Sequence, residues 1–220
     1  MQERETALGV FAIDPGPTQS AFVNCLFTGD TRLLGTPMEI KGIGTCGNHE
    51  LLEAFADLNR KQIPAHWKFA CEGVVFYGEQ VHVGKSVFDT VRWCGRFEQY
   101  LSTLGHTLEF IPRQTIKAHV CNNTRAKDPD VRQALIDRFG AVGKKSEPGP
   151  LYGISGHCWS ALAVAVAYSI RFRDSLRLNK HQPQGIGKPP SGNSLASECS
   201  GAAIANAGAA EKKFQQGGLI

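Results

Sequence analysis

Leu8-Gly9-Val10-Phe11-Ala12-Ile13-Asp14, followed at once by Pro15-Gly16, is an apolar run that stops on a carboxylate. Six apolar residues and a closing carboxylate, followed by a turn sequence, predict a buried strand. Working outward, Ala21–Phe27 and Arg32–Ile40 read as two more strands, with Thr28-Gly29-Asp30 as the turn between them. These three form an antiparallel meander. Trp67–Cys71 and Thr107–Ile111 are shorter apolar runs, the first leading into Glu72 and the second stopped by Pro112. Helical spacing fills the gaps between them. Leu51, Leu52, Phe55 and Leu58 share one face behind Asn48, which can cap that helix. Val87, Val91, Cys94, Phe97, Leu101 and Leu104 recur every three or four residues until Gly105. That stripe is either core or an interface with a second copy. Asp128-Pro129 caps and opens a helix carrying Val131, Leu135, Ile136 and Phe139, and Gly140 ends it. Lys144–Gly153 is a Gly/Pro-rich loop. Ser155 can cap a last helix over Gly156–Ile170, and its Ala161–Tyr168 segment is apolar on every face, as a helix buried against a sheet must be. The order predicts an α/β fold: a mixed five-stranded sheet, antiparallel meander plus parallel strands, flanked by helices.

The chain has 220 residues, of which 42% are hydrophobic. That suits one domain, residues 1–175, and a tail, 176–220, whose composition turns to Gly, Pro, Ser, Gln and Ala. The tail is expected to be disordered. The seven cysteines are odd in number and contain no CxxC, so neither a disulfide framework nor a structural zinc site is expected. Met1 leads into Gln-Glu-Arg-Glu, which is not a secretory signal, and Ala161–Tyr168 is too short to span a bilayer. A cytoplasmic protein with no membrane partner is expected. Net charge is only +4, but residues 111–145 carry eight Lys/Arg against three Asp. That focused surplus suits a phosphate backbone, or else a solvated helix face.

Three polar residues end apolar elements: Asp14, Glu72 and His157. Alone, Asp14 and His157 have plain structural uses, since Asp14-Pro15-Gly16 is a good turn and His157 suits a helix start, whereas Glu72 caps nothing obvious. Together they make chemistry. If the first and fourth strands are neighbours, two carboxylates emerge at one edge and repel unless a cation lies between them. Hard oxygen ligands select Mg2+ or Mn2+. A helix N-terminus biases His157 toward the neutral imidazole, the form that binds metal or accepts a proton. Two acids and a histidine around one or two divalent ions, two being the expectation, can activate water and neutralise charge on a phosphodiester.

Ala12-Ile13-Asp14-Pro15-Gly16 with Ser20-Ala21-Phe22 resembles the opening strand motif of RuvC-type Holliday-junction resolvases. Cys71-Glu72-Gly73-Val74-Val75-Phe76 resembles their second acidic strand. Pro112-Arg113-Gln114-Thr115-Ile116-Lys117 and then Arg125-Ala126-Lys127 resemble their basic stretch, and Gly156-His157-Cys158-Trp159-Ser160-Ala161-Leu162-Ala163 their final helix. Order and spacing agree over about residues 7–170. The resemblance implies a ribonuclease-H-like fold and a homodimer binding four-way DNA junctions. It implies paired Mg2+-dependent nicks that leave 5′-phosphates and 3′-hydroxyls. It implies catalytic and metal-binding roles for Asp14, Glu72 and His157. Lys117, Lys127, Arg113 and Arg125 are the candidate phosphate ligands, and Phe76 or Tyr77 could insert at the open centre of a junction, where bases unstack. Where the family's last helix offers two acids three residues apart, this chain has His157 and Ser160. Ser160 supplies no charge, which weakens one ion's hold or favours Mn2+.

Three other readings use the same residues. A flap or general branched-DNA nuclease differs only in the DNA accepted. A junction-binding protein would have lost catalysis. An actin-like ATPase could use Asp14, Gly16 and Thr18 against a phosphate, but it needs two lobes and a second Gly-rich loop, and Gly153–Gly156 is a poor match. No nucleotide cofactor is expected.

Overall fold

The computed structural model describes residues 7–29, 37–61, 64, 66–75 and 84–180, with residues 179 and 180 by backbone only, all within one unit, Met1–Gln182. The first strand, β1 (Leu8–Asp14), runs down the middle of a five-stranded sheet. β2 (Gln19–Phe27) pairs antiparallel with it, and β3 (Met38–Gly47) antiparallel with β2. After α1 (Asn48–Arg60), β4 (Trp67–Gly73) returns parallel to β1 on its other side. α2 (Lys85–Thr103) leads to β5 (Leu108–Pro112), parallel to β4. Two helices follow, α3 (Arg113–Cys121) and α4 (Asp128–Phe139), then a hairpin of β6 (Gly143–Lys144) and β7 (Glu147–Pro148), then α5 (Cys158–Lys180). Strand order is β3-β2-β1-β4-β5, the mixed sheet with a meander and parallel strands that the sequence pattern predicts.

Side chains of β1 divide between two cores, because successive residues of a strand point to opposite faces. Leu8, Val10 and Ala12 pack with α3, α4 and α5, while Phe11 and Ile13 pack with α1 and α2. This is why the run is apolar without a break. Ala161–Ile170 of α5 is buried at every position, and alanines at 161, 163, 165 and 167 keep the helix thin where it is enclosed by the sheet and by α3 and α4. Phe11 anchors the other face, stacked on Phe22 at 5.5 Å and edge-on to Phe55 at 5.3 Å. Each fully buried Leu or Phe contributes roughly 2 kcal/mol of transfer free energy. Among the described residues no helix is long and apolar enough to cross a membrane.

Several boundaries differ from expectation. The third strand is Met38–Gly47, not Arg32–Ile40, and residues 30–36, including Asp30 of the expected turn, lie outside the described residues. Gly42, Gly44 and Gly47 hide this strand from an apolar pattern, and as the sheet edge it is only half-buried. Its pairing skips Lys41, since Asn24 faces Gly42 and Cys25 faces Ile40. The sequence pattern does not mark α3: Pro112 ends the apolar run of β5 and is also the residue that precedes the helix's first turn. Its buried residues are only Ile116 and Val120, too few to make a stripe. Asn48 does not cap α1, and Lys127 rather than Asp128 is the residue before α4, its N–H donating to the Asp130 carboxylate at 2.7 Å. β6 and β7 form within the expected loop. α5 runs ten residues past Ile170 and enters the expected tail, whose remainder, residues 181–220, lies outside the described residues. The six cysteines among the described residues are free thiols.

Candidate functional site

The site is built by strand parity. Asp14 follows Ile13, which pairs with Cys71, so Asp14 and Glu72 are next in line on adjacent parallel strands. Ile13 and Cys71 face α1 and α2, whereas Ala12 and Ala70 face α5. Alternation therefore sends Asp14 and Glu72 to the same face, the one covered by α3 and α5, at the C-terminal edge of the sheet. Both carboxylates are nearly enclosed, at 12% and 16% side-chain exposure.

α5 delivers the histidine. His157 immediately precedes the helix, and its carbonyl accepts the first helical hydrogen bond from the Ala161 N–H at 3.1 Å. Its Nδ1 lies 3.0 Å from Asp14 Oδ2, and the side chain as a whole is 82% exposed. Facing an ionised carboxylate, Nδ1 must carry the proton, which leaves Nε2 as the nitrogen with a lone pair in the neutral ring. Ser160 also hydrogen-bonds to Asp14.

The loop after Asp14 is tied down from inside. Asn48, fully buried, accepts from Ser20 Oγ at 2.7 Å and donates to the Gly16 carbonyl at 3.0 Å. Ser20 Oγ also accepts from the Gly16 N–H at 3.3 Å, and the Asn48 N–H donates to the Thr18 carbonyl at 3.1 Å. Asn48 and Ser20 thus hold Pro15–Thr18 against α1. In sequence Asn48 resembles a cap, because an Asn before an amphipathic helix commonly is one and burial is not visible in one chain position.

Glu72 has a different partner. Gly73 pairs with Pro112, so Arg113, the first residue of α3, starts beside Glu72. Arg113 Nη1 donates to Glu72 Oε1 at 3.1 Å and Nη2 to Asp128 Oδ1 at 2.6 Å. Burial pushes Glu72 above its ordinary pKa against the opposing charge of Arg113, and the negative charge of Asp14 adds to the rise. Burial likewise pushes Asp14 up, against the hydrogen bond and charge of His157 and the charge of Arg113. Each carboxylate is thus short of solvation and repelled by the other, a state that a cation relieves.

The donor set of two carboxylates and an imidazole fits a hard divalent ion. Among the described residues, however, no three His, Cys, Asp or Glu side chains are gathered as a metal-holding group. Asp14 is engaged by His157, and Glu72 by Arg113. The structure therefore brings Asp14 and His157 into contact and puts Glu72 on the neighbouring strand, without converging all three on one point.

Of the predicted phosphate ligands, Lys117 is half-buried on α3, and Arg125 and Lys127 are exposed just before α4. Arg113 stands among the carboxylates. Asp128, read as a cap, belongs to the same charge cluster, which only the packing of α4 against α3 reveals. Phe76 and Tyr77 lie outside the described residues. The α2 stripe is divided: Cys94, Phe97 and Leu101 are buried, but Val87, Val91 and the adjacent Phe88, at 61%, are exposed.

A scan against protein-family models finds no match, and no curated protein matches the sequence. Solved structures do match. A structure of Thermus thermophilus RuvC superposes with a TM-score of 0.55 at 16% identity, over 76% of this chain and 97% of that one. T. thermophilus RuvC in complex with a Holliday junction substrate superposes with a TM-score of 0.57 at 14% identity, over 76% and 96%. The strand order 3-2-1-4-5, with mixed parallel and antiparallel pairing and helices on both faces, is therefore a RuvC-like, ribonuclease-H-like fold.

Proposed function

We propose that this chain is a divalent-metal-dependent endodeoxyribonuclease that resolves four-way DNA junctions. The observation that carries the reading is the pair Asp14 and Glu72, nearly enclosed on one face of adjacent parallel strands, with His157 in contact with Asp14. The fold adds support, since one similar solved structure holds a Holliday junction substrate. Asp14, Glu72 and His157 are the residues that would hold Mg2+ or Mn2+. A bound ion supplies Lewis acidity at the phosphodiester and lowers the pKa of attacking water. Asp14 orients the His157 ring through Nδ1, so the ring's one lone pair is on Nε2, which would bind the ion, or accept a proton where the two carboxylates alone hold the ion. Lys117, Arg125 and Lys127 supply positive charge to the DNA backbone. A second copy of the chain would cover Val87, Phe88 and Val91, and two such sites would make the paired nicks. The cytoplasm is the compartment proposed.

Cleavage of a synthetic four-way junction with Mg2+ and Mn2+ in parallel tests the reading. Symmetric nicks with 5′-phosphate ends are expected. Equal cutting of flaps, Y-forms and linear duplex would replace it with a general nuclease, and binding without cutting would replace it with a junction-binding protein.

A further inference from the structure

We infer that the Arg113 guanidinium acts as a fixed cation of the site in place of a second metal ion, so that the chain takes one divalent ion. The inference rests on the metal-nuclease reading above and refines it. Arg113 bridges two carboxylates from different elements, Glu72 on β4 and Asp128 on α4, through separate nitrogens at 3.1 and 2.6 Å. Unlike a metal, the guanidinium is covalently present and charged at every working pH.

Charge balance points the same way. Asp14, Glu72 and Asp128 carry three negative charges, and Arg113 cancels one. The remainder matches one divalent ion. A second would have to sit at close range to the Arg113 guanidinium, which repels it. The first turn of α5 does not alter the count, because Ser160 brings a hydroxyl to Asp14 and no charge. Among the described residues the contact of Arg113 uses only Oε1 of Glu72.

Mn2+ titration of the full chain without DNA tests this, with free Mn2+ read by electron paramagnetic resonance and binding by calorimetry. Wild type should bind one Mn2+ per chain. Arg113→Gln frees Glu72 and Asp128 and should bind two, the first on the order of tenfold tighter. Arg113→Lys keeps the charge and should return to one. Asp128→Asn leaves Arg113 on Glu72 and removes a negative charge, so it should keep one ion and bind it severalfold more weakly. Asp128→Asn serves if circular dichroism finds Arg113→Gln unfolded. Two ions on wild type would overturn the inference and leave the nuclease reading standing, as would an Arg113→Gln chain that folds and binds as wild type does. An Asp128→Asn chain with wild-type affinity would also count against it. No Mn2+ on wild type or on any folded variant would overturn both readings.

Discussion

His157 and Asp14 are 143 residues apart in sequence, and Nδ1 of one lies 3.0 Å from Oδ2 of the other. The contact joins the start of the buried helix α5 to the end of the central strand β1. It fixes which ring nitrogen faces solvent, and so which one can take a proton. His157→Asn should therefore reduce single-turnover junction cleavage by roughly 10²–10⁴-fold, the range for removing a positioned acid–base group. Junction binding in a mobility-shift assay should persist. Cleavage within a factor of two of wild type would remove His157 from the chemistry.

The two buried carboxylates predict a trade between stability and function. Burial raises Asp14 and Glu72 above their ordinary values, so the folded chain holds protons that the unfolded chain has released. Stability then falls as pH rises from the ordinary carboxylate value through the raised one, and the whole cost is present above it. At pH 7 without divalent ions, Asp14→Asn should melt a few degrees higher than wild type, at roughly 2–4 °C per kcal/mol relieved. The gap should close below the ordinary carboxylate range. Calorimetric melts across pH check this, and a lower melting temperature at pH 7 would contradict it. Asp14→Asn and Glu72→Gln should both abolish cutting and still bind junctions.

Lys117 and Lys127 belong to the segment that begins beside Glu72, on α3 and just before α4. If each meets one phosphate, Lys117→Ala and Lys127→Ala should each reduce the slope of log K against log salt by about one unit. Fluorescence anisotropy at several salt concentrations measures it. An unchanged slope places that lysine off the DNA.

Asn48 fastens the loop after Asp14 through Ser20 and Gly16. Asn48→Ala leaves a buried hydroxyl and a half-buried carbonyl short of partners, which should cost about 1–3 kcal/mol. Urea unfolding should record that loss, and cleavage should fall with it because Pro15–Thr18 is no longer anchored. Stability within about 0.5 kcal/mol of wild type would mean that water replaces the amide at no net cost.

Much of this protein can be read from one chain because burial leaves a local pattern. Leu8–Ile13 is apolar at every position because β1 has helices on both faces, and Ala161–Tyr168 because α5 is enclosed. Asp14 and Glu72 stand out as charges at the ends of such runs. Where burial is partial the pattern fails. β3 is a glycine-rich edge, α3 buries two apolar side chains, and the stripe of α2 continues past the point where its core contact ends.

The sequence by itself determined which segments are buried and which polar residues interrupt them. Only the tertiary structure decided the partnerships: His157 with Asp14, Arg113 with Glu72 and Asp128, and Asn48 with the Gly16 carbonyl. Hydrophobic periodicity records how a residue faces its own element, whereas these contacts depend on which strand lies beside which. That order follows from how the whole sheet and its helices pack, and no local stretch of chain carries it.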